Sequence, residues 1–293
     1  MRQAVILLKK KLWALTLSVL PVLALAGVAH TLSAAKDVDA VRLESVSLPV
    51  LMYHSLLKDT NHAGSYTLPP TLFETDMRYL QARGYAAVLP SELIGYTQGL
   101  CDLPKKPVMI TFDDGQYNNY VYATPVLEET GMRAAVSIIG APTEQFSELK
   151  DKSLLYAYLT WAEIREMQES GLYEIGNHSY RLHSLSRGRK GVLRCGGENI
   201  NEYRDLLTAD IGDLQEALYL HCGFAPVLFA YPFGFWDRES ELVLKELGFL
   251  MTLTCNETIN TITRDPESLY LLGRFNRPAG ISTEAFMAAA GIS

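Results

Sequence analysis

The sequence predicts an α/β fold of the (β/α) barrel type, and three observations carry that expectation. Short, almost wholly apolar runs alternate with amphipathic stretches along the chain, the pattern of successive βα units. These runs lack polar-apolar alternation, as do strands of a parallel sheet covered on both faces. Beyond an N-terminal targeting segment the chain keeps roughly 250 residues, the usual size of such a barrel.

The candidate strands, in order, are Leu48 to Tyr53, Tyr85 to Leu89, Pro107 to Phe112, Ala134 to Ile139, Tyr173 to Gly176, Val227 to Tyr231, Leu250 to Thr254 and Tyr270 to Arg274. Helical periodicity falls between them at Thr71 to Arg83, Asn118 to Thr130, Asn201 to Leu220 and Thr283 to Ala290. Two further helices have legible ends. Thr160 followed by Glu163 forms a capping-box pattern whose helix Gly171 closes, and Asp237 caps another that ends at Gly248. The stretch from Ser179 to Asn199, rich in Gly, Arg and Ser, exceeds ordinary loop lengths and is expected to border the site.

The N-terminus carries Lys9, Lys10 and Lys11, then an apolar run from Leu12 to Val28 interrupted by Thr16, Ser18 and Pro21. A basic cluster before an apolar run reads as an export signal. Ser33-Ala34-Ala35 supplies the small residues of a cleavage site, yet the run approaches the ~20 residues of a spanning helix. Residues 1–35 are therefore expected to be a signal peptide or a membrane anchor, 36–45 a linker and 46–293 the catalytic domain. The product would be secreted or anchored, with the catalytic domain outside the cytoplasm.

Outside the cytoplasm disulfides persist, and Cys101, Cys195, Cys222 and Cys255 allow three complete pairings. None is spaced C-x-x-C, so neither a thiolate zinc site nor a thioredoxin-like role is expected, and buried or structural cysteines are preferred. The net charge of -7, with 48% hydrophobic and 20% charged residues, fits a folded globular protein. That acidic balance, without a dense Lys/Arg stripe beyond the N-terminus, argues against a nucleic-acid partner. A neutral or basic ligand fits better.

The chemistry concentrates at two strand ends. The first is Ile110-Thr111-Phe112-Asp113-Asp114-Gly115, where an apolar strand runs into two carboxylates and a glycine. Successive strand side chains face opposite ways, so both carboxylates reach one cavity only if the chain turns, which Gly115 permits. Alone, the run is as readily a simple Asp-Asp-Gly turn. The second is Gly176-Asn177-His178-Ser179-Tyr180-Arg181-Leu182-His183, holding two of the six histidines. Their spacing of five would set them ~140° apart on a helix, so a loop must bring them together. Asp114, His178 and His183 would supply one carboxylate and two imidazoles, a set that suits zinc or another divalent transition metal. Asp113 is then the spare carboxylate, able to take a proton from a water molecule.

These residues resemble the polysaccharide deacetylase family, also called the NodB homology domain or carbohydrate esterase family 4. Its first motif is T-F-D-D-G, found here as Thr111 to Gly115, and its second contains the histidine pair. The resemblance spans roughly Leu48 to Asn276. It looks closest to the exported poly-N-acetylglucosamine deacetylase-like branch, which shares Leu51-Met52-Tyr53-His54, the wider histidine spacing and Gly188-Arg189-Lys190-Gly191. The resemblance implies a distorted (β/α) barrel of the family type, Asp113 as base, and Asp114, His178 and His183 as ligands of Zn2+ or of Co2+, Ni2+ or Fe2+. A third motif is similar to Phe229-Ala230-Tyr231-Pro232-Phe233-Gly234, in which the N–H of Phe233 would stabilise an oxyanion.

Two positions depart from the family pattern. Many relatives carry an arginine where this chain has Ala230, and that arginine orients the catalytic aspartate. Many also carry a histidine, the general acid, where this chain has Arg274. A guanidinium stays protonated and does not donate readily. Arg274 is therefore expected to take the missing arginine's place beside Asp113, and His54 to supply the proton.

Tyr180, Phe235 and Trp236, with Tyr117, are candidate sugar-contacting aromatics, although core packing explains each about as well. The expected reaction is metal-dependent hydrolysis of N-acetyl groups on a cell-wall or extracellular amino-sugar polysaccharide, releasing acetate. An O-acetyl esterase of the xylan type and a non-catalytic carbohydrate-binding protein are the competing readings.

Overall fold

The structure is a computed structural model and describes residues 45–293. The expected export segment 1–35, and all but the last residue of the expected linker, lie outside the described residues. None of the described helices is long and apolar enough to cross a membrane.

Twelve strands are described. They are β1 (Val46–Leu48), β2 (Val50–Tyr53), β3 (Ser55–Leu56), β4 (Thr67–Leu68), β5 (Ala86–Ala87), β6 (Pro107–Phe112), β7 (Ala134–Ile138), β8 (Tyr173–Asn177), β9 (Leu228–Ala230), β10 (Met251–Leu253), β11 (Asn260–Ile262) and β12 (Phe275–Asn276). Eight of them form one parallel sheet in the order β10-β9-β8-β7-β6-β2-β12, with β5 paired to the start of β6. Leu272 forms a parallel bridge to Leu253 at the far edge, while Phe275 and Asn276 pair with Leu51 and Met52. The segment from Leu272 to Asn276 therefore touches both ends of the sheet, which curls towards closure. The barrel-type reading of the sequence stands.

Strand pleating sorts the core. On β6, Val108, Ile110 and Phe112 pack outward among helical residues such as Phe73, Leu127 and Ile164. Met109 faces the other way, among Val50, Ala135, Leu228, Met251 and Leu253. Period two thus aims Thr111 and Asp113 with Met109 toward the inside of the curled sheet. Helices cover the outer face: Pro70–Ala82, Tyr117–Thr130, Trp161–Glu169, Ile200–Cys222, Arg238–Glu246 and Thr283–Ala289 lie within a few residues of their sequence-predicted ranges. The reciprocal capping box at Thr160 and Glu163 forms, and Asp237 accepts from the Ser240 N–H.

Some elements differ from expectation. Helices Pro90–Thr97 and Gly140–Leu149 were not read from the sequence; their N-cap residues, Leu89 and Ile139, have no polar side chain to cap with, and their periodicity is short. The expected strand Tyr270 to Arg274 is displaced to β12. Leu271 adopts a left-handed φ of 59°, which breaks an extended run just before the chain crosses between the sheet edges.

A buried ion pair joins the C-terminal end of the chain to the barrel. Arg277 and Asp76 are 2% and 0% exposed and meet at 2.7 and 3.1 Å. Asp76 also accepts from Tyr53 Oη and Thr283 Oγ1. One carboxylate thereby ties together β2, the helix Pro70–Ala82 and the final helix.

Candidate metal centre and active site

The site is built where β2, β6, β8, β9 and β10 end. β2 and β6 pair in register from Val50 and Met109 to Tyr53 and Phe112, and the Asp113 N–H donates to Tyr53 O at 3.1 Å. That ladder sets His54 next to the paired acids. Asp114 itself is left-handed, at φ 71°, as is Gly115 at 73°. The turn begins one residue before the glycine and swings Asp114 from the outer face to the inner one. A side chain at Gly115 would meet Ile138 at 2.8 Å, so the glycine is needed for space as well as conformation.

Left-handed non-glycine residues also follow the other strands, Ser179 after β8 and Phe233 after β9, at φ 71° and 58°. Such backbone carries a cost and collects at functional sites. Around Ser179 it is held by hydrogen bonds: Asn177 Oδ1 accepts from the Ser179 N–H, and Asp210 accepts from the N–H groups of Tyr180 and Arg181, all at 2.8 Å. Asp210, from the helix Ile200–Cys222, anchors the loop between the two histidines.

Asp114, His178 and His183 converge, with one potential ligand atom from each lying within 4.8 Å of the others. Asp114 Oδ1 stands 3.7 Å from His178 Nε2 and 3.3 Å from His183 Nε2. His178 Nδ1 is 2.7 Å from the Ala230 carbonyl, which can only accept, so Nδ1 carries the proton and Nε2 presents a lone pair to the centre. Burial lowers the His178 pKa to about 3 and also lowers that of His183, so both rings are neutral at physiological pH. Burial raises Asp114 to about 6, with Asp113 adding to the effect. Asp114 Oδ1 is buried and has no hydrogen-bond partner. A carboxylate oxygen without a hydrogen-bond partner, facing two neutral imidazoles, is a donor set that fits a divalent metal.

Asp113 is held differently. Arg274 Nη1 and Nη2 donate to its two oxygens at 2.7 and 2.8 Å. Burial by itself would raise the Asp113 carboxyl, but the guanidinium holds it well below the usual carboxylate range. Arg274 is fully buried and further fixed by Nε donating to Thr254 O at 2.8 Å. Two adjacent carboxylates thus have opposite settings, one clamped ionised by Arg274 and one turned towards the two imidazoles.

A cavity of about 740 Å³ opens over these groups. His54, Asp113, Asp114, His178, His183, Phe233 and Phe235 line it. The His54 ring lies edge-on to Tyr66 at 4.8 Å, its Nδ1 buried without a partner, and burial lowers its pKa. The Phe233 ring packs on His183 at 4.3 Å.

Three aromatics expected near sugar sit elsewhere. Tyr180 packs over Gly140 and lines a second, shallower pocket with Arg181 and His221. Trp236 packs against the apolar cluster around Tyr231, and Tyr117 lies beside Tyr120 and under Lys152. Tyr66, Leu185, Cys255, Glu257 and Asn276 line the cavity without having been singled out. Cys255 and Glu257 follow β10, where the strand-end rule for barrels pointed. Asp210 carried no local signal beyond being an acid on an amphipathic helix. All four cysteines are free thiols.

Residues 101–252, about half of the chain and containing all three motifs, match the family model for polysaccharide deacetylase. The chain belongs to the polysaccharide deacetylase family. It is 29% identical over 245 residues to YxkH of Bacillus subtilis (strain 168), a protein named for the same family, across 82% of this chain and 74% of that one. It is 26% identical over 194 residues to the poly-beta-1,6-N-acetyl-D-glucosamine N-deacetylase of Escherichia coli (strain K12). That match covers 60% of this chain but 29% of the larger relative. The structure of IcaB from Ammonifex degensii superposes with a TM-score of 0.67 at 27% identity, covering 84% of this chain and 96% of that one. As a family member this deacetylase is a hydrolase of the mixed α/β, curled parallel-sheet type.

Proposed function

We propose that this deacetylase removes N-acetyl groups from an amino-sugar polysaccharide outside the cytoplasm, releasing acetate and leaving free amines. The observation that carries the reading is the pairing of a clamped, ionised Asp113 with an adjacent Asp114-His178-His183 set that fits a cation. A binding protein has no use for that pairing. The names of the Escherichia coli relative and of the family support the choice of an N-acetylated sugar polymer. Export rests on the basic and apolar start of the chain.

We assign Asp114, His178 and His183 as the ligands of a divalent metal, zinc by preference for one carboxylate and two imidazoles. When bound there, such a metal lowers the pKa of a water and polarises a carbonyl. Asp113 accepts the proton of the attacking water, and Arg274 keeps it ionised and aimed. The Phe233 N–H donates to the oxygen of the tetrahedral intermediate. His54, in its imidazolium form, gives its proton to the leaving nitrogen as the C–N bond breaks, so acetate and an amine depart. Phe235, on the cavity wall, offers an aromatic face to the sugar.

The deciding experiment measures acetate release from matched N-acetylated and O-acetylated oligosaccharides, before and after chelation and metal restoration. Metal-dependent release from the N-acetyl substrate is expected, and Asp113→Asn should abolish it while retaining the metal. Faster release from the ester would reverse the substrate assignment.

A further inference from the structure

The cavity carries one charged group that the hydrolytic chemistry leaves unused. Glu257 lies on the exposed loop that follows β10 and forms part of the cavity wall. The Asn276 N–H donates to its Oε1 at 3.3 Å, which holds the carboxylate head on the β12 side of the opening. Among the described residues no lysine, arginine or histidine pairs with Glu257, whereas Asp113 is matched by Arg274 and Asp114 faces the two imidazoles. Among the described residues no lysine or arginine lines the cavity, although Lys190 Nζ lies 5.4 Å over the ring of Phe235 on its wall. Beside Glu257 the wall carries the apolar or aromatic side chains of Tyr66, Leu185 and Phe235, with Cys255 and Asn276.

A fully N-acetylated polymer offers such a carboxylate no charge. Each turnover, however, creates an amine that is protonated near neutral pH, as α-amino groups with pKa values of about 8 are. We propose that Glu257 is a specificity residue that binds the ammonium of an already deacetylated sugar neighbouring the one under attack. This rests on the deacetylase reading above. The enzyme would then favour chains it has begun to deacetylate, and the overall charge of -7 would attract those same cationic chains from a distance. Because Glu257 is exposed, the attraction is modest and screened by salt.

The test compares kcat/KM per acetyl group on an N-acetylglucosamine tetramer and on the same tetramer carrying one free amine. Wild type, Glu257→Gln and Glu257→Lys are measured at low and high ionic strength, and calorimetry follows binding of a glucosamine tetramer. The wild type should prefer the amine-bearing tetramer by about two- to fivefold at low salt, the range of one exposed ion pair. The preference should vanish in Glu257→Gln, fall below one in Glu257→Lys, and weaken with salt in the wild type. Equal preference and equal glucosamine affinity in wild type and Glu257→Gln would overturn the assignment. Absence of acetate release by the wild type would instead sink the deacetylase reading, while the calorimetry would still decide the role of Glu257.

Discussion

Arg274 grips both carboxylate oxygens of Asp113 across 161 residues of sequence, in a contact where the arginine is wholly buried. The guanidinium comes from the segment that joins the two edges of the curled sheet. Position 230 holds alanine, and its carbonyl fixes His178.

Removing this arginine should do two separable things. Arg274→Ala leaves a buried carboxylate unpaired, a change worth roughly 3–5 kcal/mol in stability, read by chemical denaturation. It also releases Asp113 to the effect of burial, so its pKa rises. The base is then protonated at higher pH, and the acidic limb of the kcat/KM profile moves to higher pH. A limb that stays in place would mean Asp113 is not the group being titrated.

His54→Ala should lower the chemical step about 10²- to 10⁴-fold, the usual contribution of a general acid. Metal content, by elemental analysis, should stay at the wild-type level. Single-turnover rates equal to wild type would remove His54 from the mechanism.

Asp210 acts through the loop it anchors. In Asp210→Ala the N–H groups of Tyr180 and Arg181 lose their acceptor, and the backbone between His178 and His183 loosens. Metal affinity should fall about 10- to 100-fold, as it does when outer supports of a ligand are lost. Excess metal should restore much of the turnover, which a general folding defect would not allow.

Asp76→Ala breaks the buried pair with Arg277 and strands that guanidinium. About 3–5 kcal/mol of stability should be lost. Asp76→Asn keeps some hydrogen bonding to Tyr53 and Thr283 and should lose less. Equal denaturation midpoints for all three proteins would show that the network contributes nothing.

Much of the fold was legible because burial on both faces leaves a parallel strand with a continuous apolar run. Pro107 to Phe112 and Ala134 to Ile138 are entirely buried and were readable for that reason. The aspartate and histidine candidates were legible because distinctive residue types sit at strand ends. Glu257 and Asp210 were not, since single acids on a loop and on a helix look like ordinary surface chemistry. Leu272 to Asn276 was misread because its partners change along its length, which no local periodicity encodes.

By itself the sequence determined the succession of strands and helices, the strand-end acids and histidines, and the absence of an arginine at position 230. Those are local properties of residue type and spacing. Only the tertiary structure decided that Arg274 reaches Asp113, that Asp114 turns inward, and that Asp210 tethers the histidine loop. Each depends on contacts between segments far apart in the chain, formed when the sheet curls and burial makes every unpaired polar group costly.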